Sequence, residues 1–228
     1  MPNNIPPDIA VMQMLMGAWI SQSISTATRL DLPDKIKTYG PCTAAQLVVE
    51  HGIEADSAFL ERLLRACASV GLFSEEADGC FGMKPMSETL TKDAPGSIKK
   101  LVEIFGSTWW HVWNGLEEAV RTGHSQANSQ LGLDYWDYCK ANPKEMEDFA
   151  EAMKAHSRNS MCGVLEKCDF SGVKTVVDVA GGYGHLAIAL LKRYKDLHGT
   201  VLDLPDLKPL AEHHASSPLC HPLAFPCQ

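Results

Sequence analysis

The sequence of 228 residues has no excess of positive charge and no long apolar run. Its formal net charge is −8 at pH 7, which gives no electrostatic basis for binding nucleic acid or an anionic membrane surface. No stretch of 18 or more apolar residues occurs, so no membrane-spanning helix is predicted. The first residues, MPNNIPPDIA, lack the basic and then apolar layout of a signal peptide. We therefore expect a cytoplasmic protein.

The sequence also lacks any pairing pattern among its eight cysteines. None of them forms C-x-x-C, and no histidine lies at zinc-ligand spacing from them. Without a secretion signal, they are expected to be reduced thiols, several of them small core residues. No metal site is predicted.

The most informative stretch runs from Thr175 to Asp206 and lacks the dinucleotide motif G-x-G-x-x-G. A β-branched run, Thr175–Val179, leads into a turn of pattern D-x-A-x-G-x-G, an apolar helical segment and a second predicted strand, Thr200–Leu204, carrying Asp203. Glycines let the backbone approach a ligand, and an acid about 20 residues further on can accept hydrogen bonds from ribose hydroxyls. This spacing is closer to that of S-adenosylmethionine (SAM) sites, although glycines here are also compatible with turn chemistry alone.

The N-terminal part is predicted to begin with a helix from Asp8 to about Thr28. Its apolar residues recur at helical spacing but spread around the helix, which is typical of a buried core helix. Its many methionines also suit an interface with a second subunit. Both interpretations remain open at this point.

A helix-turn-helix pattern with a wing follows. Thr43 and then Asp56 or Ser57 are the predicted caps of two helices, and a hairpin turns at Asp78-Gly79. Such a fold can bind DNA, but Arg62 and Arg65 are too few cations for a phosphate backbone. The second helix is predicted to bury one face, formed by Phe59, Leu60, Leu63, Leu64 and Cys67.

The middle of the chain is predicted to be helical from Ser97 to Arg121, with a polar loop over residues 123–132 and a further helix from Pro143 to about Cys168. Trp109 and Trp110 belong to an aromatic cluster whose members cannot all share one helix face.

Taken in order, the segments LERLLRACASVGLF, FAEAMKAHS, VVDVAGGYGHL and LDLPDL resemble the SAM-dependent small-molecule O-methyltransferases of the plant caffeate and hydroxyindole type, with bacterial and fungal relatives. The resemblance implies a mainly α, winged-helix dimerisation domain at residues 1–100. It implies a helical linker and substrate-pocket region at 101–172 and the start of an α/β Rossmann-like SAM-binding domain at 173–228. The implied partners are a small hydroxylated aromatic or polyketide-like substrate and a second copy of the chain, with neither nucleic acid nor membrane.

The resemblance also assigns site residues. Phe149, Met153 and Ser157 match positions that face SAM and substrate in the family, although Phe149 and Met153 are equally compatible with an i, i+4 core pair. Trp109 and Trp110 match loosely as walls of the acceptor pocket. The implied cofactor-binding residues are Asp178, Gly181, Gly182, Gly184, Asp203 and Ser157.

Two departures from the family pattern stand out. The family usually has glycine where Ala180 stands, and a methyl group there is tolerable only if the backbone is not at positive φ. No His-Asp-Trp-like segment occurs, so no catalytic base is assigned, and His111, His124, His156 and His185 do not match the family's base position.

We expect the chain to hold two strands of a sheet that needs five or six, and its final residues, SSPLCHPLAFPCQ, to form neither strand nor helix. Three hypotheses follow. The first is an O-methyltransferase, inactive in this form because the base-bearing segment is missing. The second is a non-catalytic dimerisation partner of a full-length methyltransferase, and the third is a winged-helix DNA-binding protein.

Overall fold

The computed structural model describes residues 5–215 and 223–224, which fall into two compact units with the boundary between Leu133 and Asp134. The predicted region 101–172 is divided between these units, and the three-part division stays a prediction. The elements of the first unit are α1 (Pro7–Arg29), α2 (Leu32–Tyr39), α3 (Ala44–Val49), α4 (Ser57–Ser69), β1 (Phe73–Glu75), β2 (Phe81–Met83), α5 (Pro85–Glu88), α6 (Lys99–Phe105), α7 (Thr108–Trp113), α8 (Leu116–Thr122) and α9 (Ala127–Leu131).

The first unit contains the predicted helix-turn-helix and wing. Thr43 caps α3 in a capping box with Gln46. The Asp56 carboxylate accepts hydrogen bonds from the first free backbone amides of α4, as the sequence predicts. Strands β1 and β2 pair antiparallel around the Asp78-Gly79 turn. The core is made by Leu32, Ile36, Leu47, Leu60, Leu64, Cys67, Phe73 and Phe81.

Two predictions in this unit are wrong. Phe59 does not share the buried face of α4: it is 68% exposed, under the guanidinium of Arg62. The predicted polar loop at 123–132 is the second, because it contains the helix α9. The segment Ser97–Arg121 is helical as predicted, as the three short helices α6, α7 and α8.

The structure tests the buried-core interpretation of helix α1. Its C-terminal end is buried, at Ser25, Ala27 and Thr28. Its first four turns lie outside the core of this chain, so the buried-core interpretation is wrong for them. The exposed side chains are Ile9, Val11, Met12, Met14, Leu15, Met16, Trp19 and Ile20.

The second unit is an α/β structure. Its elements are α10 (Tyr135–Ala141), α11 (Pro143–Lys167), β3 (Thr175–Val179), α12 (His185–Arg193), β4 (His198–Leu202), a 3-10 turn (Pro205–Leu207), α13 (Lys208–Ala215) and β5 (Leu223–Ala224). The sheet is parallel, in the order β3-β4-β5. Apolar residues of α12, Leu190 and Leu191, pack on one side of it with Val176.

The sheet differs from expectation at its far end. A third strand, β5, forms within the tail that was expected to be irregular, and it pairs with Gly199 and Thr200 of β4. Apart from β5, residues 216–228 lie outside the described residues. Among the helices that the structure describes, none is long and apolar enough to cross a membrane.

Candidate functional site

The glycine turn after β3 is tied to the end of β4 by backbone and side-chain hydrogen bonds. The amide of Ala180 donates to the carbonyl of Leu202 at 2.8 Å. The Asp203 carboxylate accepts the amide of Gly182 on one oxygen and that of Leu204 on the other, each at 2.7 Å. Each carboxylate oxygen keeps lone-pair capacity for another donor. The carboxyl ends of two parallel strands, where α/β sheets bind ligands, are thus joined.

Glycine is required in this turn for different reasons at different positions. A Cβ on Gly181 would lie 2.7 Å from Cγ of Asp178, so a side chain there would force its neighbours to move. Gly182 has φ +56°, and a Cβ on it would meet no atom within 4 Å. Gly184, at φ +75°, is the residue from which α12 begins. The open space beside Gly182 is where a ligand can approach the backbone.

Asp178 lies between the turn and the following helix. The backbone amide of Ala187, in the first turn of α12, favours the charged form of its carboxylate. Burial raises the pKa of Asp178, and the nearby Asp203 raises it further, while the Ala187 amide lowers it. The two carboxylates therefore repel each other across the turn.

The methyl group of Ala180 was expected to be tolerable only if the backbone there is not at positive φ. Its φ is +58°, in the left-handed region that favours glycine. The condition is therefore not met, and Ala180 carries local strain.

A cavity of about 780 Å³ opens beside the turn, entirely within the second unit. One wall is a face of α11, and the opposite wall is formed by the ends of β3 and β4. Its lining residues include Phe149, Met153, Lys154, Ser157 and Met161 from α11, Trp136 from α10, and Asp178, Ala180, Gly181, Gly182, Tyr183, His185 and Asp203 from around the turn. The rings of Tyr135, Trp136 and Phe149 pack edge to face at 5.3–5.8 Å.

The cavity brings together most of the residues singled out from the sequence. Phe149, Met153, Ser157, Asp178, Gly181, Gly182 and Asp203 all line it. Gly184 is not among the lining residues and acts at the start of α12. Trp109 and Trp110 lie on α7 of the first unit, so their assignment to the pocket stays a prediction.

Sequence reasoning missed Trp136, His185 and Tyr183. Tyr183 stands between two glycines of the turn, a place where a side chain is expected to face solvent, yet it is 3% exposed. It packs with Met146 and Ala150 of α11, and its burial together with Glu151 and Glu147 raises its pKa to about 12. The position of His185, one residue after Gly184, was the one indication in the sequence that it lies beside the turn.

Comparison with known proteins identifies the class. Residues 12–93 match the O-methyltransferase dimerisation domain, and residues 113–225 match the O-methyltransferase domain. The chain therefore belongs to the O-methyltransferase family, with an N-terminal dimerisation domain followed by a methyltransferase domain.

Individual relatives agree with this. The chain is 34% identical over 204 residues to the mitomycin biosynthesis 6-O-methyltransferase of Streptomyces lavendulae, covering 89% of this chain and 57% of the relative. It is 29% identical over 201 residues to the phenazine O-methyltransferase of Lysobacter antibioticus, covering 88% and 58%. An O-methyltransferase from neocarzinostatin biosynthesis, solved with SAM and 2-hydroxy-5-methyl naphthoic acid, superposes with a TM-score of 0.78 at 27% identity, covering 91% and 64%. The chain thus spans less than two thirds of the length of each.

Proposed function

We propose that the second unit holds SAM in the cavity beside the glycine turn. The observation that carries this proposal is the pairing of Gly182 with Asp203. The backbone at Gly182 leaves open space, and the Asp203 carboxylate faces the same cavity with lone pairs available for ribose hydroxyls. Gly181 and Asp178 shape the turn, and Ser157 contributes a hydroxyl from α11. The residues present fit an uncharged adenosyl group without a diphosphate cradle.

The reaction proposed is methyl transfer to a hydroxyl of a small aromatic or polyketide-like molecule. SAM, when bound, supplies a methyl group activated by its sulfonium. Phe149, Met153 and Trp136 offer an apolar and aromatic wall against which a planar acceptor can be oriented. We assign no general base among the described residues.

The proposed partner is a second copy of the chain, held through α1. Trp19 is 69% exposed, Met14 65% and Leu15 63%, within the part that matches the dimerisation domain. An apolar surface of this extent on one helix is typical of an interface between subunits.

The proposal is tested by titrating the purified chain with SAM, S-adenosylhomocysteine and NAD, using ligand-observed NMR because weak binding is expected. SAM and its demethylated product should bind with dissociation constants of roughly 100 μM or higher. This corresponds to a binding free energy no more favourable than about −5.5 kcal/mol. NAD should show no saturable binding, because the turn lacks the G-x-G-x-x-G spacing of dinucleotide sites. Binding of NAD in preference to SAM would refute the cofactor assignment.

A further inference from the structure

Lys154 is the one lysine or arginine among the described side chains that line the cavity beside the glycine turn. It lies on α11, where the lining residues Ala150, Lys154, Ser157 and Met161 follow one another at spacings of three and four and so share one face of the helix. The rest of that wall is largely apolar. The fold therefore places a single ammonium group in the wall against which a ligand would pack.

The present partner of this ammonium is a weak one. Lys154 lies 3.5 Å from the Glu151 carboxylate, one turn earlier on α11. An ion pair with a well-formed hydrogen bond is shorter, at about 2.7–2.9 Å. The two side chains are 42% and 36% exposed, and a pair in such a place contributes little to stability. An ammonium has three N–H donors and this contact uses one, so Lys154 can donate to a ligand as well.

The charges of the cavity are separated between its walls. Asp178 and Asp203 lie at the glycine turn, opposite α11, and neither forms an ion pair with Lys154 among the described contacts. A second cation, the sulfonium of SAM, is proposed to enter the same cavity. Like charges repel more strongly in a cavity that excludes water, and a carboxylate beside Lys154 would offset that repulsion.

We infer that Lys154 binds the carboxylate of a ligand in this cavity. The inference rests on the proposed function, because that proposal supplies the two molecules that can carry the group: SAM, through its methionine moiety, and an aromatic acceptor that is itself an acid. Phe149 and Met153 form an apolar wall next to the cation, which fits a ligand with an apolar body and one negative group. The two sources share this chemistry, and experiment separates them.

The test titrates the full 228-residue chain with two matched pairs of ligands, followed by ligand-observed NMR. S-adenosylhomocysteine carries a carboxylate and methylthioadenosine lacks it. A hydroxynaphthoic acid carries one, and the matching carboxamide does not. In at least one pair the unchanged chain should prefer the carboxylate by about tenfold or more, as expected for a hydrogen bond between charged groups.

Substitutions at Lys154 should control this preference. Lys154→Met should reduce it to less than about threefold, whereas Lys154→Arg keeps the charge and should retain it within about twofold. Raising the salt concentration from about 50 to 500 mM should weaken binding of the carboxylate ligand to the unchanged chain, with a much smaller effect on Lys154→Met. Lys154 is 42% exposed, so its variants should fold, and far-UV circular dichroism checks this.

The matched control is Lys144→Met, in the first turn of the same helix. Lys144 pairs with Glu147 and Asp148 and is not among the lining residues, so this variant removes the same charge and should keep the preference. Loss of preference in the adenosyl pair of ligands identifies the carboxylate of the cofactor, and loss in the naphthoic pair identifies an acid acceptor.

Three results would overturn the inference: no preference for a carboxylate in either pair, a preference that persists in Lys154→Met, or an equal loss in Lys144→Met. Binding of methylthioadenosine reports the adenosyl site at Gly182 and Asp203 alone. If neither methylthioadenosine nor SAM binds, the proposed function is wrong. If both bind and the Lys154 variants change nothing, only the carboxylate inference is wrong.

Discussion

The backbone amide of Gly182 donates a 2.7 Å hydrogen bond to Oδ2 of Asp203, which lies 21 residues later in the sequence. This bond fixes the glycine turn after β3 relative to the end of β4. It also orients the carboxylate towards the cavity, because Leu204 donates to the other oxygen. One side chain therefore both shapes the turn and is proposed to bind the ribose.

We expect Asp203→Ala to weaken SAM binding by tenfold or more. The variant removes the acceptor for two backbone amides and the proposed acceptor for the ribose hydroxyls, and a charged hydrogen bond contributes about 1.5–3 kcal/mol. Asp196→Ala, at an exposed position before β4, is the control and should bind as the unchanged chain does. Equal affinities for the Asp203 variant and the unchanged chain would contradict the assignment.

Gly181→Ala should destabilise the second unit by about 1–3 kcal/mol, as overpacking typically does. The new Cβ would lie 2.7 Å from Cγ of Asp178 and 3.0 Å from Cγ1 of Val201. Urea unfolding followed by circular dichroism measures the effect. Gly163→Ala on α11, where a Cβ meets nothing within 4 Å, should be neutral or stabilising by up to about 1 kcal/mol. Similar unfolding midpoints for the two variants would show that the turn is not tightly packed.

Ala180→Gly should stabilise the turn. The left-handed conformation at φ +58° costs an L-residue about 1–2 kcal/mol, and the greater entropy of glycine in the unfolded chain offsets about 0.4–1 kcal/mol of the gain. Amide hydrogen exchange of the peptide containing the turn should slow accordingly. Ala189→Gly, in the helical interior of α12, should have the opposite sign, by about 1 kcal/mol. Faster exchange in the Ala180 variant would contradict the inferred strain.

The sequence predicted β3 and the glycine turn correctly because each is specified locally, but it placed the second strand at Thr200–Leu204, whereas β4 is His198–Leu202 and Asp203 follows its end. β-Branched residues favour a strand, and the glycine spacing followed by a later acid is typical of a turn that binds a nucleoside. The partner of Asp203 was not predictable, since a hydrogen bond between segments depends on the register of β3 against β4. The positive φ of Ala180 was equally hidden, because alanine rarely adopts it and only the turn as a whole imposes it.

Helix α1 shows a different limit. Its apolar residues predicted a helix correctly, but periodicity reports which residues avoid water and not which molecule covers them. Tyr183 shows the opposite error. Its glycine neighbours predict an exposed turn residue, but it is buried against α11, a helix that precedes β3 in the sequence.

Trp19→Lys should shift the chain from dimer to monomer. Trp19 is 69% exposed in the isolated chain, and large aromatic residues at the centre of interfaces commonly contribute 2 kcal/mol or more to association. Sedimentation velocity at tens of micromolar measures the change. Val49→Lys, at an 82% exposed position at the end of α3, should leave the association state unaltered. A monomeric unchanged chain under the same conditions would refute the dimer proposal.

Lys99→Met should destabilise the first unit by about 2 kcal/mol or more, because removing one partner leaves a charge poorly solvated. The Lys99 side chain is 10% exposed, and its ammonium lies 2.6 Å from the Asp34 carboxylate, itself 17% exposed, while also donating to Asp31. Burial lowers the pKa of Lys99, but the hydrogen bonds and charges of Asp31 and Asp34 outweigh it, so the pKa is raised.

The sign of the pH dependence follows from that raised pKa. A lysine that holds its proton more tightly in the folded state contributes stability that is fully present below its unfolded pKa of 10.5 and lost as pH rises through the folded value. The difference in unfolding free energy between the unchanged chain and Lys99→Met should therefore be constant from pH 7 to 9 and shrink only above pH 10.5, as urea unfolding at each pH would show. Lys144→Met is the control: its ion pairs with Glu147 and Asp148 are formed by a side chain that is 68% exposed, and their loss should cost under about 0.5 kcal/mol. If Lys99→Met and Lys144→Met lowered the unfolding free energy by the same small amount, the ion pairs of Lys99 would not hold α2 to α6.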